Sequence, residues 1–113
     1  LPGLGIAGFY GKKEDSIAFV SFVNYTQPKT NYKYNIKTNS LIEYFKPSID
    51  FKSENYETTQ AFYKSKDGTL IPMFISHLNG IKLNNDNPLL LYGYGGFDIP
   101  ILPNFSKTYH RFW

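Results

Sequence analysis

The sequence contains no cysteine, which excludes a disulfide framework and any thiolate metal site. Two histidines, His77 and His110, stand far apart among scattered acids. That spacing suits no metal-ligand set, so neither a metal nor a cofactor is expected. No run approaches the roughly 18 apolar residues that cross a bilayer as a helix, and no membrane partner is expected. Charge of one sign is also scarce, with 12 basic against 9 acidic residues and a net +3. The lysines are spread over Lys12-Lys13, Lys29 to Lys37, Lys46 to Lys66 and Lys82, which reads as solvated surface and not as a nucleic-acid track. Gly-x-Ser-x-Gly, the elbow that presents a hydrolase serine, does not occur. Without it no Ser/His/acid triad is nominated. His77 reads as structural or exposed, and His110 has no serine motif to serve. The start, Leu1-Pro2-Gly3, lacks a methionine and the charged-then-apolar plan of a secretory leader, so a fragment or processed piece is expected. Asn24-Tyr25-Thr26 and Asn104-Phe105-Ser106 match the glycosylation triplet, a pattern common by chance and given no weight.

Aromatic residues are abundant. Ten Tyr and ten Phe accompany a single Trp, and with Thr, Ile and Val in short runs they favour β structure. A chain of 113 residues suffices for one modest domain or for pieces of two. Leu4 to Tyr10 reads as a first strand and Gly11 to Asp15 as a polar turn. Ser16 to Tyr25 is apolar on both faces, as in the centre of a sheet. Thr26 to Thr30 breaks it. Tyr32, Tyr34 and Ile36 alternate with Lys33, Asn35 and Lys37, the period of a half-buried strand. Lys37 to Ser40 turns, with Asn39 suited to a left-handed conformation, and Leu41 to Phe45 returns. Four strands in about forty residues, each pairing with its predecessor, match one β-propeller blade. Pro47 to Asn55 has no sustained period and reads as a linker. A hairpin follows: Thr58 to Ser65, a turn at Lys66 to Thr69 carrying Asp-Gly, and Leu70 to Leu78. Asn84 to Pro88 is a surface loop. Pro100 and Pro103 keep the later chain irregular, and Ser106 to Trp113 shows no readable period.

The densest signal is Leu89-Leu90-Leu91-Tyr92-Gly93-Tyr94-Gly95-Gly96-Phe97. Three large aliphatics in a row predict a strand buried on both faces. The glycines then permit close backbone approach and positive φ. In α/β-hydrolases a loop after an early strand carries an oxyanion-hole donor, often from a glycine-rich run. Here the phenol of Tyr94 could serve. Glycine-rich turns after buried strands also occur in folds that catalyse nothing, and the nine residues alone leave both readings open.

Taken in order, Tyr56-Glu57-Thr58-Thr59-Gln60, Phe62 to Thr69 (containing SKDGT), Ile71-Pro72-Met73-Phe74-Ile75 and Asn87 to Phe97 (containing LLYGYGGF) resemble the prolyl oligopeptidase family. The likeness covers essentially the whole chain and is weakest in the last ten residues. It implies a mainly β fragment: the last part of a β-propeller, about one four-stranded blade, followed by the first strands of an α/β-hydrolase catalytic domain. The expected division is residues 1–47 as the C-terminal blade, 48–55 as linker and 56–113 as the start of the incomplete peptidase domain. The implied activity is a serine peptidase that cleaves short peptides after proline; the lack of cysteine is compatible with a reducing compartment, and a cytoplasmic location is expected. The implied partners are proline-containing peptides and the remainder of the same catalytic domain and propeller.

By the same resemblance Tyr94 donates to the oxyanion and Phe97 walls the proline pocket, with Gly93, Gly95 and Gly96 shaping the turn. Nucleophile, acid and base fall later in the family's sequence, so the segment alone is expected to be inactive. Tyr92 reads as structural, its direction open. Asp98 departs from the Asn found in many members, and its direction is likewise open. Trp113 does not correspond to the pocket tryptophan of the family. Two rivals stand beside this reading. One is a same-family oligopeptidase with a preference for basic residues. The other is a non-catalytic β module binding through its Tyr- and Lys-rich strands, which would fold as a cooperative monomer. A two-domain fragment would instead expose apolar strands and edges.

Overall fold

A computed structural model describes residues 1 and 3–111, and Trp113 lies outside them. The described residues form two separate antiparallel sheets. Strands β1 (Ile6–Tyr10), β2 (Ile17–Val23), β3 (Thr30–Asn35) and β4 (Ser40–Phe45) make a four-stranded meander in sequence order. Strands β5 (Tyr56–Lys64) and β6 (Leu70–Leu78) make a two-stranded hairpin.

Register decides which residues leave water. β2 pairs with β1 on one side and β3 on the other, so Phe22 stands between Ala7 and Thr30, and Val20 between Phe9 and Tyr32. Alternate residues share a face, and this face contains the buried apolar core of the described residues, Val20 at 2% and Phe22 at 3% exposure. The alternation of Tyr32 and Tyr34 along β3 places both on that same face, as the period predicts. Opposite β3, β4 carries an irregularity: Tyr32 faces Glu43 while Asn31 faces Phe45, which leaves Tyr44 as the extra residue of a bulge. Its ring meets Phe19 edge-on at 5.2 Å between centroids.

Side chains of turn residues end the strands. The Lys12 N–H donates to Asp15 Oδ2 at 2.8 Å, closing the β1–β2 turn. After β2 the Thr26 N–H donates to Asn24 Oδ1 at 2.9 Å, which stops the strand at Val23 and not at Tyr25 as expected. Asn39 adopts φ +51° and accepts from the Tyr34 hydroxyl at 2.7 Å, so the left-handed residue expected there is the one that turns the chain. The β5–β6 hairpin closes through three residues, Lys66, Asp67 and Gly68. The Gly68 N–H donates to the Ser65 carbonyl at 2.9 Å, and the Ser65 N–H to the Thr69 carbonyl at 2.8 Å. Gly68 takes φ +87°, the left-handed position of a bulged three-residue loop.

Residues 46–55 join the sheets. They hold a single 3-10 turn, Ser53–Asn55. Phe51 stacks on Tyr56 at 4.8 Å and meets Phe105 edge-on at 5.1 Å. Asn79 ties the turn to the end of β6, its N–H donating to the Asn55 carbonyl at 2.8 Å and its Nδ2 to the Glu54 carbonyl at 2.7 Å. A short helix α1 (Lys107–Arg111) closes the described chain. Five residues are too few for a 3.6-residue period to show in sequence.

The predicted buried strand at Leu89–Leu91 is not formed. The segment is irregular, and Leu89, Leu90 and Leu91 are 83%, 51% and 84% exposed. A doubly buried strand needs a ladder on each side and a layer on each face, and among the described residues no strand pairs with it. Phe9, Tyr44, Phe45, Phe62 and Leu83 are exposed as well, the pattern expected of a fragment with unpartnered faces.

Candidate functional site

The tyrosine–glycine turn follows the exposed leucines. Tyr94 is half exposed, and its hydroxyl makes no hydrogen bond to another described residue. The ring lies beside Gly96: a Cβ placed there would stand 3.1 Å from the Tyr94 hydroxyl oxygen and 3.3 Å from Cζ. The missing side chain of Gly96 is therefore what lets the phenol lie where it does. Gly93 and Gly95 have open space where a Cβ would be.

The chain then reverses, with the Ile99 N–H donating to the Gly96 carbonyl at 3.2 Å. The positive φ values expected of the glycines fall instead on Phe97 (+56°) and Asp98 (+53°). Phe97 points into solvent and is 92% exposed. Asp98 is also exposed. Tyr92 turns toward α1, its ring 6.4 Å from that of Tyr109.

A cleft of about 310 Å³ lies elsewhere, between the β2–β3 loop and the start of β5. Gly3, Leu4, Asn24, Thr26, Gln27, Ser53, Glu54, Tyr56 and Thr58 line it. Tyr94, Phe97 and the glycines beside them do not line it. Its wall is a satisfied polar cluster. Gln27 Nε2 donates to Thr30 Oγ1 at 3.1 Å and to the Tyr32 hydroxyl at 3.0 Å. Thr30 Oγ1 donates to the Pro28 carbonyl at 3.0 Å. Sequence marks residues 26–30 as a polar break, and nothing local signals that Thr26, Gln27 and Thr30 are buried. Beside them, burial raises the Tyr25 phenol above its ordinary value of 10.0, and its ring packs 5.3 Å from Phe74 of β6.

His77 sits in a structural contact. Its Nδ1 lies 2.9 Å from the Leu78 carbonyl and 3.5 Å from Glu57 Oε1, its cross-strand partner. No group of three potential metal ligands exists among the described residues.

No family model matches the chain. Whole proteins do. The chain is 49% identical over 107 residues to the prolyl endopeptidase of Elizabethkingia meningoseptica, covering 94% of this chain and 15% of that protein. It superimposes with a TM-score of 0.81 and 37% identity on a chain from a structural study of two prolyl endopeptidases, covering 96% of this chain and 16% of that one. Prolyl oligopeptidase B from Galerina marginata, solved with a 35mer hydrolysis and macrocyclization substrate, matches with a TM-score of 0.77 and 29% identity over 90% of this chain and 15% of its own. The SKDGT hairpin and the YGYGGF turn thus lie in a segment whose sequence and backbone are both shared, and the chain belongs to the prolyl oligopeptidase family, spanning about 15% of the length of the curated relatives it matches.

Proposed function

We propose that this segment is part of a cytoplasmic serine peptidase that hydrolyses short peptides on the carboxyl side of proline. Tyr94 supplies an oxyanion-hole donor and Phe97 one wall of the proline pocket. The triad comes from parts of the protein outside these residues. Residues 1–47 form the last blade of a β-propeller, 48–55 the linker, and 56–113 the opening of the α/β-hydrolase domain. The division of the strands into a four-stranded meander and a separate hairpin supports that assignment.

The observation that carries the site is the state of Tyr94. Its ring is not enclosed, its hydroxyl is uncommitted, and it rests on a residue with no side chain. As the scissile carbonyl becomes tetrahedral, negative charge collects on its oxygen. A pre-placed donor in a dry site then stabilises the transition state more than the substrate. Phe97, flat and apolar, suits a rigid five-membered ring by shape with little loss of side-chain freedom. The rival reading, a self-contained β module, calls for a core that Val20 and Phe22 alone do not make.

The test is a chimera in which this chain replaces the aligned segment of the Elizabethkingia meningoseptica relative. The chimera should cleave a proline peptide, and Tyr94→Phe should lower kcat by about 10²–10³ while leaving the melting temperature unchanged. A Tyr94→Phe chimera with full turnover removes Tyr94 from the mechanism.

A further inference from the structure

The reversal at Gly96–Ile99 has no glycine at its two central positions. Its two central positions, Phe97 and Asp98, both lie in the left-handed region, at φ +56° and +53°, under the Ile99 N–H to Gly96 carbonyl bond of 3.2 Å. Turns with two left-handed central residues normally take Asn-Gly, Asp-Gly or Gly-Gly, because a Cβ there crowds the backbone. A bulky aromatic at positive φ is a strong outlier. Strain of this kind collects where a site needs a particular projection. Three glycines stand immediately upstream, and none of them takes a left-handed φ. The strained pair instead falls on the residue that projects into solvent at 92% exposure.

Gly96 links the turn to the phenol. Its carbonyl accepts the turn's closing bond, and its bare α-carbon is the seat beside which the Tyr94 ring lies. A change in the turn therefore moves the seat of Tyr94 and the direction of Phe97 together. Asp98 occupies the second central position, where glycine is usual. A short polar side chain tolerates the left-handed region far better than a branched one.

We propose that Asp98 is a positioning residue: by holding the second left-handed position of the Gly96–Ile99 turn, it sets where Phe97 and Tyr94 point, and it acts through backbone conformation and not through its charge. This rests on the roles proposed above for Tyr94 and Phe97. The carboxylate need not touch the substrate. Asn should replace it because Asn also tolerates positive φ, and Gly should replace it because Gly has no Cβ to crowd.

The experiment compares D98N, D98G and D98V in the chimera on a proline peptide and on its alanine analogue. D98N and D98G should keep kcat/KM within about threefold of the parent chimera, since both accept the left-handed position. D98V should lose about 10- to 100-fold on the proline peptide, as misplaced site groups do, with a smaller loss on alanine. Equal activity of D98V and the parent overturns the proposal. So does a D98N loss matching that of D98V, because charge would then be the cause. Should D98V fail to fold, D98A poses the same question, with a smaller loss expected and restoration by D98G. An inactive parent chimera would defeat the roles of Tyr94 and Phe97 but still leave the turn open to measurement. In that case a crystal structure of D98V or D98A should show Phe97 at negative φ, and Phe97 still left-handed there overturns the proposal.

Discussion

The ring of Phe22 fills the space above Gly5. A Cβ on Gly5 would stand 2.5 Å from Phe22 Cζ and 2.5 Å from the Val23 carbonyl oxygen. The bare α-carbon just before β1 is therefore part of how β2 buries its most enclosed aromatic, at 3% exposure.

Gly5→Ala should consequently destabilise the four-stranded sheet. Neither the backbone carbonyl nor a packed ring can yield freely, and overpacking of this kind costs about 1–3 kcal/mol. Hydrogen exchange of the β1 and β2 amides in the chimera checks it. Faster exchange confined to that sheet is expected, and unchanged protection would show that the Phe22 ring has room to move.

Gln27 should matter through its two hydrogen bonds. Its Nε2 serves Thr30 Oγ1 and the Tyr32 hydroxyl together, and Thr30 is wholly buried. Gln27→Ala leaves Thr30 Oγ1 without its donor in a place water does not reach, at a cost of about 1–3 kcal/mol. The β2–β3 amides should lose protection, while those of β5 and β6 keep theirs.

Asp67 makes the β5–β6 turn sensitive to acid. The Thr69 N–H donates to its Oδ1 at 3.0 Å. That bond, followed by those from the Thr69 and Ser65 hydroxyls, holds its carboxyl below the ordinary value of 3.8. A carboxylate whose value is lower when folded adds stability that is complete above its unfolded value and is lost as pH falls through the lower folded one. In a peptide spanning β5 and β6, the Thr69 amide shift should therefore move below pH 3.8. Asp67→Asn should abolish that movement, and its persistence would assign the titration to another group.

Gly96→Ala tests the seat of Tyr94. The new Cβ would lie 3.1 Å from the phenol oxygen and push the ring aside. In the chimera kcat should fall about tenfold or more, in the direction of losing the donor, with the melting temperature retained. Unaltered kcat would mean that the ring takes another seat when the site is complete.

Much of the fold is legible in short stretches of sequence. The Tyr32/Tyr34 alternation, Asn39 in its turn and the Asp67-Gly68 loop each depend on neighbours within a few residues, and each appears in the structure. β2 ends two residues before its apolar pattern does because the Asn24 side chain captures the Thr26 N–H, a competition that apolar periodicity does not register. The polar cluster of Thr26, Gln27 and Thr30 was invisible for a related reason. Its burial depends on what packs over it, and its composition is that of an ordinary surface turn.

By itself, then, the order of residues determined the six strands that form, most of their turns, the family and the position of the tyrosine–glycine run, since all of these follow from local chemistry and from motif spacing. Only the tertiary structure decided that Leu89–Leu91 lie exposed, that Phe97 and Asp98 carry the positive φ values, and that Gly96 seats the Tyr94 ring. Apolarity says that a side chain gains by leaving water. It does not say which surface will take it, and that depends on contacts from residues distant in the chain.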